Sequence, residues 1–236
     1  LGGWQQVGRL DRAHATLVGG IEGAQRVDLV TEPLDAHGHG LAGWEDVHDA
    51  APARELAAVL DELAPTKHPQ GVLAVVADPR RPPWPAPEGV AVWLDTVQDP
   101  GNLGAIVRSA AALGARAVLL SPGCADPFHH AAVRGSAGAV FRLPVTRDVP
   151  ATRVAERMSS SGGEVWAAGP GGIPIDRWSP SQPTVLFLGA EGAGLRAKTR
   201  SKIDEFVAIP MAEGVESLNL SVAAGVLMYQ LTFRKS

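Results

Sequence analysis

From residue 90 onward the sequence alternates between short β-branched apolar runs and stretches with apolar residues at helical spacing. This alternation limits the fold more than any other feature. Strands are predicted at 90–94, 117–120, 141–145, 165–168, 185–188 and 206–209. Helices are predicted at 103–113, 127–135, 151–159, 195–203 and 218–233, the last being the longest. Such a series predicts an α/β domain whose mostly parallel sheet is covered on both faces. Ligands in sheets of that kind bind outside the carboxyl ends of the strands. The informative loops are therefore those that follow residues 94, 188 and 209.

Upstream of this series lies a break in composition. Residues 78–88, DPRRPPWPAPE, contain five prolines, which remove backbone donors and disfavour helix on either side. The stretch is expected to link a smaller domain at 1–77 to a larger one at 89–236. A long surface loop within one domain is the alternative. In the first part, 27–30 and 71–77 read as strands and 53–63 as a helix, with Leu56, Val59, Leu60 and Leu63 on one face. The first 25 residues have too little periodicity to assign.

The 236 residues suffice for one large domain or two small ones. With 45% hydrophobic and 19% charged residues, the composition is that of a globular chain and argues against disorder. The single cysteine, Cys124, excludes an internal disulfide framework and a Cys-only zinc site. It fits a reducing compartment, and a cytoplasmic location is expected. No apolar run approaches the ~20 residues that cross a bilayer. The longest candidate, 218–231, is interrupted by Asn219, Ser221 and Gln230. No signal peptide is visible. The chain starts at Leu1 and not at Met, so its N-terminal domain is expected to be short at its start. The net charge of −4 means that any contact with nucleic acid must use local patches, not a basic surface field.

Three loops carry chemistry. The first, DTVQDPGNLGAIVR at 95–108, leaves a strand and opens a helix. Pro100 and Gly101 suit a tight turn, and Asn102 is expected to cap the helix. The loop would present backbone N–H groups and the positive end of a helix dipole. Arg108 falls about one and a half turns further on. The second loop, GAEGAGL at 189–195, has glycines that let the backbone approach a ligand closely. Their spacing is not that of a dinucleotide fingerprint. The helix after it carries Arg196, Lys198, Arg200 and Lys202 with no acid from 192 to 202, the best local phosphate-binding patch in the sequence. The third loop, IPMAEGVESLNLS at 209–221, crowds Glu216, Ser217 and Asn219 at the start of a long apolar helix, more polar groups than capping needs.

Each loop alone also reads as ordinary turn or cap chemistry. As an ordered set, DPGNLGAIVRSA, LGAEGAGL and IPMAEGVESLNLSVA resemble the three motifs of the SpoU (TrmH-like) branch of the SPOUT RNA methyltransferases, over residues 90–233. The resemblance implies transfer of a methyl group from S-adenosylmethionine to a ribose 2′-hydroxyl of RNA. It implies a SPOUT fold with a C-terminal trefoil knot, against the general rule that chains are unknotted. It also implies a homodimer in which the last helix packs at the interface. By the same resemblance, Asn102, Arg108, Glu191, Ser217 and Asn219 form the catalytic pocket, and Leu188, Gly189, Gly194, Ile209, Met211 and Leu218 hold the methyl donor. The sulfonium donor is already activated, so no metal is expected. His129 with His130, and His37 with His39, lack a carboxylate or cysteine to complete a ligand set.

The first part of the chain resembles, more faintly, the L30e-like RNA-binding domain of family members that act on ribosomal RNA, in LVTEP and PTKHPQGVLAVV. Arg80 and Arg81 are expected to help meet RNA. Only Trp4 and Trp44 are aromatic before the linker, so base stacking is not expected as the main grip there. Relatives acting on tRNA carry helical extensions at their chain ends, and here the sequence stops just after the last helix. Ribosomal RNA is therefore the expected substrate. The competing readings are a tRNA ribose methyltransferase and an RNA-binding protein with the fold but no turnover. The full set of five polar pocket residues argues against the latter.

Overall fold

The computed structural model describes residues 14–16, 29–30, 73–76, 84, 87–180, 183–190, 192 and 194–233. The chain divides into two compact units, 1–80 and 81–236. In the first, strands β1 (His14–Thr16), β2 (Leu29–Val30) and β3 (Leu73–Val76) form a sheet in the order β1-β3-β2. β1 runs antiparallel to β3, and β2 runs parallel to it. The helix expected at 53–63, the arginines at 80 and 81, and Trp4 and Trp44 lie outside the described residues.

The second unit is built on a six-stranded sheet in the order β6-β5-β4-β8-β7-β9, with every pairing parallel. Its elements run β4 (Val90–Asp95), α1 (Pro100–Ala112), β5 (Ala117–Leu120), α2 (His130–Gly135), β6 (Val145–Thr146), α3 (Ala151–Ser160), β7 (Glu164–Pro174), β8 (Thr184–Gly189), α4 (Ala197–Arg200), β9 (Glu205–Ala208) and α5 (Leu220–Phe233). The doubly covered parallel sheet predicted from alternation is present. Successive side chains of a strand point to opposite faces, and β4 divides accordingly. Val92 and Leu94 enter one core with Leu103, Ile106, Val107, Ala110, Ala224 and Leu227 of α1 and α5. Ala91 and Trp93 enter the other with Val154 and Met158 of α3. There Trp93 stacks on Phe187 at 4.3 Å and donates its indole N–H to the carbonyl of Val149 at 2.9 Å. Trp84, from the proline-rich stretch, is buried in this second core with the Arg157 guanidinium over its ring.

Several predicted elements are corrected. The strand expected at 141–145 is a 3₁₀ turn, Ala139–Phe141, followed by a two-residue strand. Gly138 at φ 77° opens that turn, and Pro144 cannot donate to a ladder. The helix expected at 195–203 is one turn long. The backbone of Arg196 is held extended, its N–H bonded to Asp95, so helix begins only at Ala197. The helix expected from 127 starts at His130, because Asp126 accepts from the N–H of Phe128 in a turn and the His129 ring caps the helix. β7 runs past the predicted 168 to Pro174 through a register shift between Ala168 and Ile173.

Candidate active site

The register of the sheet puts the first two motif loops side by side. Asp95 and Gly189 are paired residues at the carboxyl ends of the neighbouring strands β4 and β8, so both loops leave the sheet at one level.

Asp95 also ties the two loops together. Its side chain is fully buried, accepts from the backbone N–H of Arg196 at 3.0 Å and from the hydroxyl of Thr199 at 2.9 Å, and pairs with the Arg196 guanidinium at 2.5 Å. Two of the four cations of the 196–202 run have partners of their own. Arg196 is neutralised by Asp95, and Arg200 lies over the Phe206 ring with its Nε–H donated to the carbonyl of Leu195. The sequence signal for Asp95 was weak, since an aspartate closing a strand looks like the first polar residue of a loop.

The glycine loop folds back onto the end of β8. Ala190 and Gly194 form a bridge, with the N–H of Gly194 donated to the carbonyl of Ala190 at 2.8 Å. A Cβ on Gly189 would lie 2.2 Å from the Gly194 carbonyl carbon, so backbone rests on backbone there. Leu188 is buried in the core, and only its main chain faces this turn. Glu191 lies outside the described residues.

The third loop starts at the far edge of the sheet. β9 is three strands away from β4, about 14 Å at the usual inter-strand spacing. The segment 209–219 covers that distance and brings Asn219 to the start of α1. There the Asn219 amide donates to the Asn102 side-chain oxygen at 3.1 Å. The two motifs farthest apart in sequence, 117 residues, thus touch. Asn219 caps α5, its oxygen accepting from the N–H and hydroxyl of Ser221 at 2.9 and 2.6 Å. Asn102, by contrast, is not the cap of α1. That role belongs to Asp99, which accepts from the Asn102 N–H at 2.6 Å, with Pro100 filling the first helical position. Asn102 lies one turn inside, and its side chain is left for the contact with Asn219. Ser217 is exposed and does not cap. Met211 and Leu218 are exposed apolar side chains on the same segment, and Ile209 is half-buried.

Arg108 does not join this contact within one chain. It follows Asn102 by six residues, about 120° around the helix and 9 Å along it. It lines a separate cleft of about 560 Å³ between α1 and the chain around 136–143.

Beneath the first loop sits a supporting turn that the sequence did not flag. Thr96, at φ 54°, donates its N–H to the Ser121 hydroxyl at 2.9 Å, and Ala125 donates to the carbonyl of Val97 at 2.8 Å. The Cys124 thiol donates to the carbonyl of Leu94 at 3.4 Å, and burial raises its pKa. It is a free, packed thiol.

A parallel α/β sheet carries the three motif loops at the carboxyl ends of its strands, and Asn102 and Asn219 join two of them, the place where α/β domains of this kind bind their ligands. The profile of the SpoU rRNA Methylase family matches residues 89–229, and the chain belongs to that family. A Mycobacterium ulcerans protein described as an "uncharacterized tRNA/rRNA methyltransferase" is 41% identical over 165 residues, 70% of this chain and 51% of its own length. The chain thus spans about half the length of the curated relatives it matches. An AdoMet-bound rRNA methyltransferase from Sinorhizobium meliloti superposes with a TM-score of 0.68 at 31% identity, covering 74% of this chain and 68% of that one. The SpoU methyltransferase AviRb from Streptomyces viridochromogenes, in complex with AdoMet, gives 0.65 at 30% identity over 78% of each chain.

Proposed function

We propose that this chain is an S-adenosylmethionine-dependent methyltransferase acting on the ribose 2′-hydroxyl of ribosomal RNA. The observation that carries the reading is the Asn102–Asn219 contact, which draws the first and third motif loops together beside the second. Two features support the methyl donor as its ligand: the tight turn after β8, where Gly189 packs backbone on backbone against Gly194 and leaves main chain rather than side chain at the strand end, and the exposed apolar side chains of Met211 and Leu218 on the third loop. When bound, the donor supplies an activated methyl on a positively charged sulfur.

In this reading the main chain of Leu188, Gly189, Gly194, Ile209, Met211 and Leu218 holds the adenosine. Asn102 and Asn219 fix the pocket wall, and Ser217 and Glu191 complete its polar lining. A ribose hydroxyl is a poor nucleophile at neutral pH and needs a base or a stabiliser of its developing charge. An arginine, with a pKa above about 12, is a poor base. Arg108, which within one chain stands apart from the Asn102–Asn219 contact, serves that pocket across the proposed dimer, where it holds the phosphate beside the target ribose and stabilises the alkoxide.

The active form is proposed to be a homodimer in the cytoplasm, with the C-terminal segment threaded as a trefoil knot. The knot is supported by the return of the chain from edge strand β9 to α1, where Thr232 donates to the carbonyl of Leu113 at 2.8 Å. No helix among the described residues is long and apolar enough to cross a membrane. The first unit is proposed to be an L30e-like domain that selects the RNA. Arg108→Ala is expected to lower turnover by about 10²-fold or more, the scale of one lost charge-stabilising donor, with donor affinity by calorimetry unchanged. Near-full turnover in Arg108→Lys would show that the planar guanidinium is not required.

A further inference from the structure

The cleft that takes Arg108 holds a second cation. Its other wall presents Arg142, and no carboxylate lines the space. Three arginines of the described residues sit in ion pairs: Arg196 with Asp95, Arg147 with Asp126, Arg116 with Glu88. Arg108 and Arg142 make no ion pair among the described residues. Two like charges facing one cleft repel each other, and an anion between them reverses the sign. The wall is built from small residues, Ala111, Ala112, Ala137 and Ala139, which leave the volume open. It is also firm. Ala137 is held at φ 48°, a conformation uncommon for a residue with a Cβ. Its N–H is donated to the carbonyl of Arg134, while the buried Ser136 hydroxyl is donated to that of Val133 at 2.8 Å. At about 560 Å³ the cleft lies within the ~300–1,000 Å³ typical of ligand sites.

We propose that Arg142 is an RNA-binding residue, and that with Arg108 it clamps one backbone phosphodiester next to the reacting nucleotide. Guanidinium groups suit this ligand because their fork matches two phosphate oxygens at once. On a chain of net charge −4, a local pair of unmatched cations is also where a polyanion would be drawn. The inference rests on the RNA methyltransferase reading above, and it adds a residue that none of the three motif loops contains.

The test compares wild type, Arg142→Ala, Arg142→Lys and Arg153→Ala, the last removing an exposed charge on α3. Affinity for ribosomal RNA is measured against salt concentration, and KM and kcat with the labelled donor. Arg142→Ala is expected to raise KM for RNA about ten-fold, leaving kcat within about two-fold and donor affinity unchanged. The slope of log affinity against log salt should fall by about 0.7–0.9, one phosphate contact. Arg142→Lys should keep the salt slope and recover only part of the affinity. Arg153→Ala should match wild type. A wild-type KM and slope in Arg142→Ala, or an equal loss in Arg153→Ala, overturns the clamp. The salt slope is read without turnover, so failure of wild type to transfer methyl would count against the methyltransferase reading and leave the clamp to be judged separately.

Discussion

Asn219 does two jobs with one amide. Its oxygen closes the first turn of α5 and its nitrogen reaches Asn102. Replacing it with alanine removes both, so Asn219→Ala should cost about 1 kcal/mol of stability from the lost cap. It should lower methyl transfer by more than that loss of fold explains, measured as turnover at a temperature where both proteins are folded. Asn219→Asp keeps the cap oxygen and loses the amide donor. It should recover the stability and not the activity. Cys124 makes a different residue-scale prediction. Its folded-state pKa is raised by burial, so its contribution to stability is fully present below the unfolded thiol pKa, about 8.5. That contribution is lost as pH rises through the folded value. Wild type should therefore lose melting temperature above about pH 8.5 more steeply than Cys124→Ala, as scanned calorimetry at pH steps would show.

At the scale of elements, Asp95 decides how strand and loop are joined. It sits at the end of β4 and fixes the start of α4 across the boundary between the first and second motif loops. Asp95→Ala would leave the Arg196 guanidinium and the Thr199 hydroxyl without their partner. The expected loss is about 3 kcal/mol, less if water reaches the half-exposed Arg196, read as a lowered denaturant midpoint. Donor affinity should fall as well, because the glycine loop loses its anchor. The close packing of α1 on α2 is similarly exact in its demand. Gly104 has no room for a Cβ, which would fall 2.3 Å from the carbonyl oxygen of Ala132.

Much of this was legible from pattern alone. The strands at 90–94, 117–120 and 185–188 are buried on both faces and read as unbroken apolar runs, and the first two motif loops follow the first and last of them directly. What pattern could not supply is which strand lies next to which. The pairing of Asp95 with Gly189, and hence the meeting of two loops 94 residues apart in sequence, comes from strand order. The same holds for Asp99 displacing Asn102 as the cap. Both residues favour that position, and only the backbone of Asp99, extended at ψ 115°, settles it. The short helix at Ala197–Arg200 was overestimated because apolar spacing continued where a side chain had already claimed the backbone N–H.

At the scale of the molecule, α5 is apolar on both sides. Leu220, Ala224, Leu227 and Met228 are buried against the sheet layer, while Val222, Val226, Tyr229 and Phe233 form an exposed stripe at helical spacing. A helix that is apolar all round belongs in a buried place, and the stripe supports the proposed dimer. Val226→Asp should shift the protein to a monomer in sedimentation velocity and reduce methyl transfer with it.

Methyl transfer by the convergent loops to RNA ribose is the proposed activity. The most direct measurement incubates the protein with methyl-labelled S-adenosylmethionine and separate pools of ribosomal RNA and tRNA, then digests each to nucleosides. Label in 2′-O-methylated nucleosides from the ribosomal pool, abolished in Arg108→Ala, is the predicted result. Label in neither pool would contradict the claim, and label confined to tRNA would contradict the choice of substrate.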